Sequence, residues 1–125
     1  KMGTEILHRF SGKPLSEQIV MLFTPEVYRS HDDLIVWFEL VAQSARNPFI
    51  QKLLHNLWTQ HWLPDFENQL AQEFPNATLE AISSAAYVLV CLFEAYWGFS
   101  LQGVTDKQRQ KQIEQAALLI LDGLK

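Results

Sequence analysis

The 125-residue chain has a single cysteine, Cys91, so no disulfide within the chain can brace it, and a reducing, cytoplasmic setting is expected. Glycine and proline are sparse at five each, which argues against collagen-like repeats, low-complexity tracts and a turn-rich all-β architecture. Concentrated positive charge is missing too. Ten Lys and Arg stand against 14 Asp and Glu, for a net charge of -4, so the chain offers little of the basic surface that rewards contact with a phosphate backbone. It is not expected to hold DNA by itself. The longest charge-free apolar run covers residues 81–93, between Glu80 and Glu94. That is short of the roughly 18 to 20 residues a membrane-spanning helix needs, and no membrane association is expected. No apolar signal core follows the N-terminus, and Lys1 ahead of Met2 points to a longer parent chain. What is plentiful is apolar: 48% hydrophobic and 12% aromatic residues suffice for one soluble domain with a substantial core.

Caps and breakers divide the chain into helices. One is expected over residues 2–11, closed by Ser11-Gly12-Lys13-Pro14, and a second over 15–23. Thr24-Pro25-Glu26 begins a turn or one short helix. Ser30 and Asp33 have capping-box spacing and open a helix over 31–46 whose Leu34, Trp37, Phe38, Val41 and Ala45 share one face. Asn47-Pro48 ends it and starts the next, which continues to residue 72 with Ile50, Leu53, Leu54, Leu57 and Trp58 as its inner stripe. Pro64 lies inside that pattern and predicts a kink or a break. Pro75-Asn76-Ala77-Thr78 leads into a long helix over 79–99. Its bulky face is Leu79, Ile82, Ala86, Leu89, Val90, Phe93 and Trp97. A second, smaller face is Ala81, Ser84, Ala85, Val88, Leu92 and Ala95. A helix apolar on both sides must be covered on both, and a second subunit is the expected cover. Thr105 and Gln108 have capping-box spacing ahead of a last helix whose Ile113, Ala116, Ala117, Ile120, Leu121 and Leu124 form a broad stripe.

The run Leu34-Ile35-Val36-Trp37-Phe38-Glu39-Leu40-Val41-Ala42-Gln43-Ser44-Ala45-Arg46-Asn47-Pro48, followed by Phe49-Ile50-Gln51-Lys52-Leu53-Leu54, resembles the regulatory part of the TetR family of transcriptional repressors: an apolar helix, an Ala-Arg-x-Pro turn and a leucine-rich helix. The long apolar penultimate helix with Gly98 near its end, and a last helix ending Leu118-Leu119-Ile120-Leu121-Asp122-Gly123-Leu124, extend the resemblance over most of the chain. It implies an all-α, antiparallel helical bundle dimerising through the last two long helices. It also implies a small, largely apolar effector whose binding is relayed to operator DNA. The DNA would be held only by a helix-turn-helix head, and nothing before Ser30 carries that head's Gly-containing turn or its Tyr-x-x-Phe signature. Residues 2–11 would then be the end of the connecting helix. The alternative is a helical interaction or scaffold domain with no small-molecule ligand.

Candidate ligand-contacting residues are Trp37, Phe38, Val41, Trp58, Trp62, Tyr87, Cys91 and Glu94. Phe93, Tyr96 and Trp97 are further aromatics able to pack or to line a cavity. Glu94 stands out because a carboxylate within the apolar run 85–97 must be paired, hydrated or protonated, and it could meet a cationic or hydroxylated effector. An exposed edge position or a partner subunit's Lys or Arg would explain it equally well. The candidate dimer interface is Ala81, Ser84, Ala85, Val88, Leu92 and Ala95 with Ala117, Ile120, Leu121 and Leu124. His61 and Asp65 stand four apart, but Pro64 intervenes and no His-Glu-x-x-His or cysteine pair accompanies them or His8, His31 and His55, so neither metal nor cofactor is expected. Phosphate loops, a Gly-x-Ser-x-Gly elbow and a nucleophile beside a base are all missing, which argues against an enzyme.

Overall fold

The structure, a computed structural model, describes residues 13–28 and 30–125. Every regular element among them is helical: α1 (Leu15–Met21), a 3-10 turn (Pro25–Val27), α2 (His31–Ser44), α3 (Pro48–Leu57), a π-helical turn (Trp58–Trp62), α4 (Leu63–Glu73), α5 (Leu79–Leu101) and α6 (Lys107–Asp122). The helix expected over 2–11 lies outside the described residues.

Local chemistry sets the boundaries. α1 stops two residues earlier than its pattern suggests. The N–H groups of Leu22 and Phe23 turn back to the carbonyls of Ile19 and Val20, and the Thr24 hydroxyl donates to the Met21 carbonyl at 2.8 Å. This tightening carries Phe23 into the core, where it is 1% exposed. At the start of α2 the Ser30 hydroxyl accepts the Asp33 N–H at 3.2 Å. Asn47 closes α2 with its own N–H to the Gln43 carbonyl, and its side chain accepts the N–H groups of Phe49 and Ile50. One residue thus ends a helix and caps the next. Thr78 caps α5 through the Ala81 N–H. α5 ends in a Schellman motif in which Gly103, at φ +73°, takes the left-handed conformation while Val104 donates to the Phe99 carbonyl. The cap of α6 is Asp106 rather than Thr105. Its carboxylate accepts the Arg109 N–H at 2.8 Å and pairs with the Arg109 guanidinium at 2.7 Å, a stronger anchor than a hydroxyl. The same N–H, then the guanidinium, holds the Asp106 carboxyl below its ordinary value.

Of the kink or break expected at Pro64, the break does not occur, because the chain is helical from Pro48 to Glu73. Proline lacks the N–H for the Gln60 carbonyl and its ring crowds that group. The π turn takes up the misfit, with Leu63 donating five residues back to the Trp58 carbonyl. It also corrects a phase error. Leu54, Trp58, Trp62, Phe66 and Leu70 are spaced by four, and in a regular α-helix that series would drift by about 40° per step. The extra residue returns about 100°, so that Leu54, Trp62, Phe66 and Leu70 are all buried.

The main core gathers Leu15, Ile19 and Phe23, Phe66 and Leu70 of α4, Ile82, Ala85, Ala86 and Leu89 of α5, and Ala117, Leu121 and Leu124. Four residues expected in a subunit interface are therefore consumed within the chain: Ala85, Ala117, Leu121 and Leu124. For Ala117, Leu121 and Leu124 the reason is α1, which lies against α6 and buries the stripe that was expected to need a second subunit, while Ala85 is in the core on α5, which packs against α4. α5 is 23 residues long and, by length and composition alone, apolar enough to cross a membrane, which the count of charge-free residues did not anticipate because the helix continues past Glu94.

Candidate functional site

Two smaller clusters flank the main core, and Glu94 lies at their junction. On α2, Trp37 is 4% exposed, and its indole Nε1 donates to Glu94 Oε2 on α5 at 2.9 Å, tying two helices 57 residues apart in sequence. Around Trp37 the π turn brings Trp58 and Trp62 together. The three rings meet edge to face with centroids 6.0, 5.6 and 4.7 Å apart. Trp62 is buried, and its indole N–H has no hydrogen-bond acceptor among the described residues. Phe38 packs against both small clusters. An added Cβ on Gly98 would sit 3.5 Å from the Phe38 ring, an ordinary van der Waals contact, so the approach of that ring to α5 does not depend on the glycine.

On its other side Glu94 faces Tyr28, whose ring stacks on Phe93 at 6.1 Å and meets Trp97 edge to face at 5.5 Å. Trp97 is itself anchored by its Nε1 donating to the Leu22 carbonyl at 2.9 Å. Burial raises the Glu94 carboxyl above its ordinary value, and the Trp37 hydrogen bond offsets only part of that. Burial, then the Glu94 charge, pushes the Tyr28 phenol well above the ordinary tyrosine range. The ion pairs of the described residues, Lys13–Glu17, Asp106–Arg109 and Asp122–Lys125, all lie on exposed side chains elsewhere. Glu94 therefore has no cation beside it among the described residues.

Of the residues expected to contact a ligand, Trp37, Phe38, Trp58, Trp62 and Glu94 come together. Val41, Tyr87 and Cys91 are exposed instead. Tyr87 and Cys91 fall on the outward face of α5 with Ser84, Val88 and Ala95, because the spacing 84, 87, 88, 91, 95 lies opposite the buried Ile82, Ala86 and Leu89. Ala81, Leu92 and Ile120 are partly buried. Tyr28 is the member of the cluster that sequence reasoning missed. It sits in a turn, where no periodicity marks an inward side chain, although an aromatic directly after Val27 in so short a turn is the one available hint. An open groove of about 460 Å³ lies at another place, between the start of α1, the α4–α5 loop and the end of α6, lined by residues such as Ser16, Phe74, Leu118 and Leu124. It includes none of the residues expected to contact a ligand. No three His, Cys, Asp or Glu side chains among the described residues come together in a metal-binding group.

Fold and site define the class: an all-helical protein in which a part-buried carboxyl is held by one indole of a tryptophan trio. Compared with known proteins, the chain matches no family model, no curated protein and no solved structure.

Proposed function

We propose that this chain is the effector-binding and dimerisation part of a TetR-type transcriptional repressor, binding a small, largely apolar ligand at the junction of α2 and α5. The observation that carries the reading is the Trp37–Glu94 hydrogen bond, a polar anchor set among aromatic rings, the composition of a ligand site. The same α5 that holds Glu94 presents the exposed stripe Ser84, Tyr87, Val88, Cys91 and Ala95, a face suited to a second copy. A ligand that shifts α2 against α5 would then alter the two-fold contact and with it the spacing of two DNA-reading heads. Such coupling works only to the extent that the ligand prefers one of the two arrangements. With a net charge of -4, the chain itself leaves operator binding to a separate head.

A thermal-shift screen of lipophilic compounds, read together with tryptophan emission, tests the ligand half. Hits that raise Tm and change the emission of the wild type are expected. A screen without hits would leave a helical scaffold as the better description. Sedimentation at micromolar concentration tests the other half, with a dimer expected, and a monomer would refute it. Flotation with lipid vesicles in place of dimerisation would mean that α5 meets a membrane instead.

A further inference from the structure

We infer that the open groove between the start of α1, the α4–α5 loop and the end of α6 docks a short peptide segment of a partner protein, one that carries apolar side chains beside a lysine or arginine. The groove is separate from the α2–α5 junction, and the inference does not rest on the effector-binding reading.

Shape comes first. A second trough of about 190 Å³ adjoins the groove of about 460 Å³, and the two share Leu15 and Glu73. Together they form a channel open to solvent. Small-molecule sites enclose most of their occupant, whereas a peptide laid in a channel keeps its outward side chains in water. Chemistry changes from one end to the other. The larger end is mainly apolar, with buried Leu15, Leu121 and Leu124 beside half-buried Phe74 and Leu118, which gives apolar side chains a place to leave water. At the smaller end stand Gln18, Gln69 and Gln72. Gln69 donates to Gln18 at 2.9 Å, and Gln18 to the Lys13 carbonyl at 2.7 Å. The Gln69 oxygen and both ends of the Gln72 amide have no partner among the described residues, so they are free to serve the N–H and C=O groups of a peptide backbone. Charge then selects the peptide. Lys125 pairs with Asp122 at 3.0 Å and Lys13 with Glu17 at 3.7 Å. Glu73, where the two troughs meet, has no cation beside it among the described residues. α4 ends at Glu73 and α6 at Asp122, so two helix C-termini, each with partial negative charge, border the same channel. A lysine or arginine complements that rim, and an acidic segment would be repelled.

The probes are hexapeptides drawn in every order from Leu, Phe, Ser and Arg, and the same set with citrulline for Arg, which keeps the shape and removes the charge. Binding to the full chain is read by fluorescence polarisation. The peptides that bind are expected to combine several apolar side chains with an Arg, and to bind about fivefold more tightly than their citrulline counterparts. Glu73→Gln, a change at an exposed residue, is expected to shrink that ratio to about twofold, the part left to the helix ends. Ser16→Trp, which fills the groove from an exposed position on α1, is expected to abolish binding. Failure of every peptide, equal binding of the Arg and citrulline forms, or binding that survives Ser16→Trp each overturns the inference. A ratio unchanged by Glu73→Gln overturns it as well, which keeps the test decisive should Ser16→Trp fail to fold. So does a Ser16→Trp chain that sediments as a monomer where the wild type is a dimer, because the groove would then belong to a second copy. The lipophilic screen at the α2–α5 junction stands or falls separately.

Discussion

At the scale of single residues, the Glu94 carboxyl is part-buried with no cation beside it among the described residues, and the direction of its titration fixes how that should appear in stability. Its folded pKa is raised above the ordinary glutamate value of 4.5. The native state therefore binds more protons than the unfolded state between those two values, and stability falls as pH rises through that window. Glu94→Gln removes the titration but keeps the acceptor for Trp37. The variant is expected to be more stable than the wild type at pH 7, with the advantage vanishing below pH 4.5, as urea unfolding across pH would reveal; an advantage that persists in acid would mean the carboxylate is not the cause. Trp37→Phe makes the opposite change, leaving Glu94 without its donor, and is expected to cost about 1–3 kcal/mol. Chemical denaturation at pH 7 measures this, and a smaller loss at low pH would attribute it to the charged form.

At the scale of elements, the starts of α2, α3 and α5 were legible because Ser30, Asn47 and Thr78 cap through side-chain oxygens with a fixed sequence spacing. Replacing Asn47 by Ala, which serves two N–H groups at once, is expected to lower stability by about 0.5–2 kcal/mol in thermal or urea unfolding. The site was half legible. Trp37, Trp58, Trp62 and Glu94 are aromatic or charged residues on strongly periodic helices, whereas Tyr28 lies where no period operates. The π turn was not legible as such, although the spacing of four from Leu54 to Leu70 records it. If that turn exists to accommodate Pro64, deleting the exposed Gln60 should force a regular α turn onto the proline and cost about 3 kcal/mol. Adding Pro64→Ala to the deletion should recover most of the loss. A deletion that is harmless with Pro64 in place would assign the π turn to the packing of the tryptophans instead.

At the scale of the whole molecule, the outward surface is what the sequence described least well, because an apolar stripe does not say whether its partner lies in the same chain. The α6 stripe is covered by α1, so Leu121, 3% exposed, belongs to the core, while Leu119 beside it is 70% exposed. These neighbours separate folding from assembly. Leu121→Glu buries a charge among apolar residues and is expected to abolish the cooperative unfolding transition. Leu119→Glu and Val88→Glu should leave that transition in place and, by sedimentation, convert a dimer to a monomer; a dimer that survives both would place the contact on another face.

The closeness of Trp37, Trp58 and Trp62 also has an optical consequence. Indole transitions at these separations couple, and paired bands of opposite sign should appear in circular dichroism where the peptide bands also absorb. Helix content read from ellipticity alone would then be distorted, and subtracting the spectrum of Trp37→Phe should isolate the part of the couplet that Trp37 makes with Trp58 and Trp62. Its amplitude depends on the angle between rings carried by α2 and by the π turn, so the chain contains a label-free gauge of how those elements sit relative to each other, readable while Glu94 is titrated or a ligand is added.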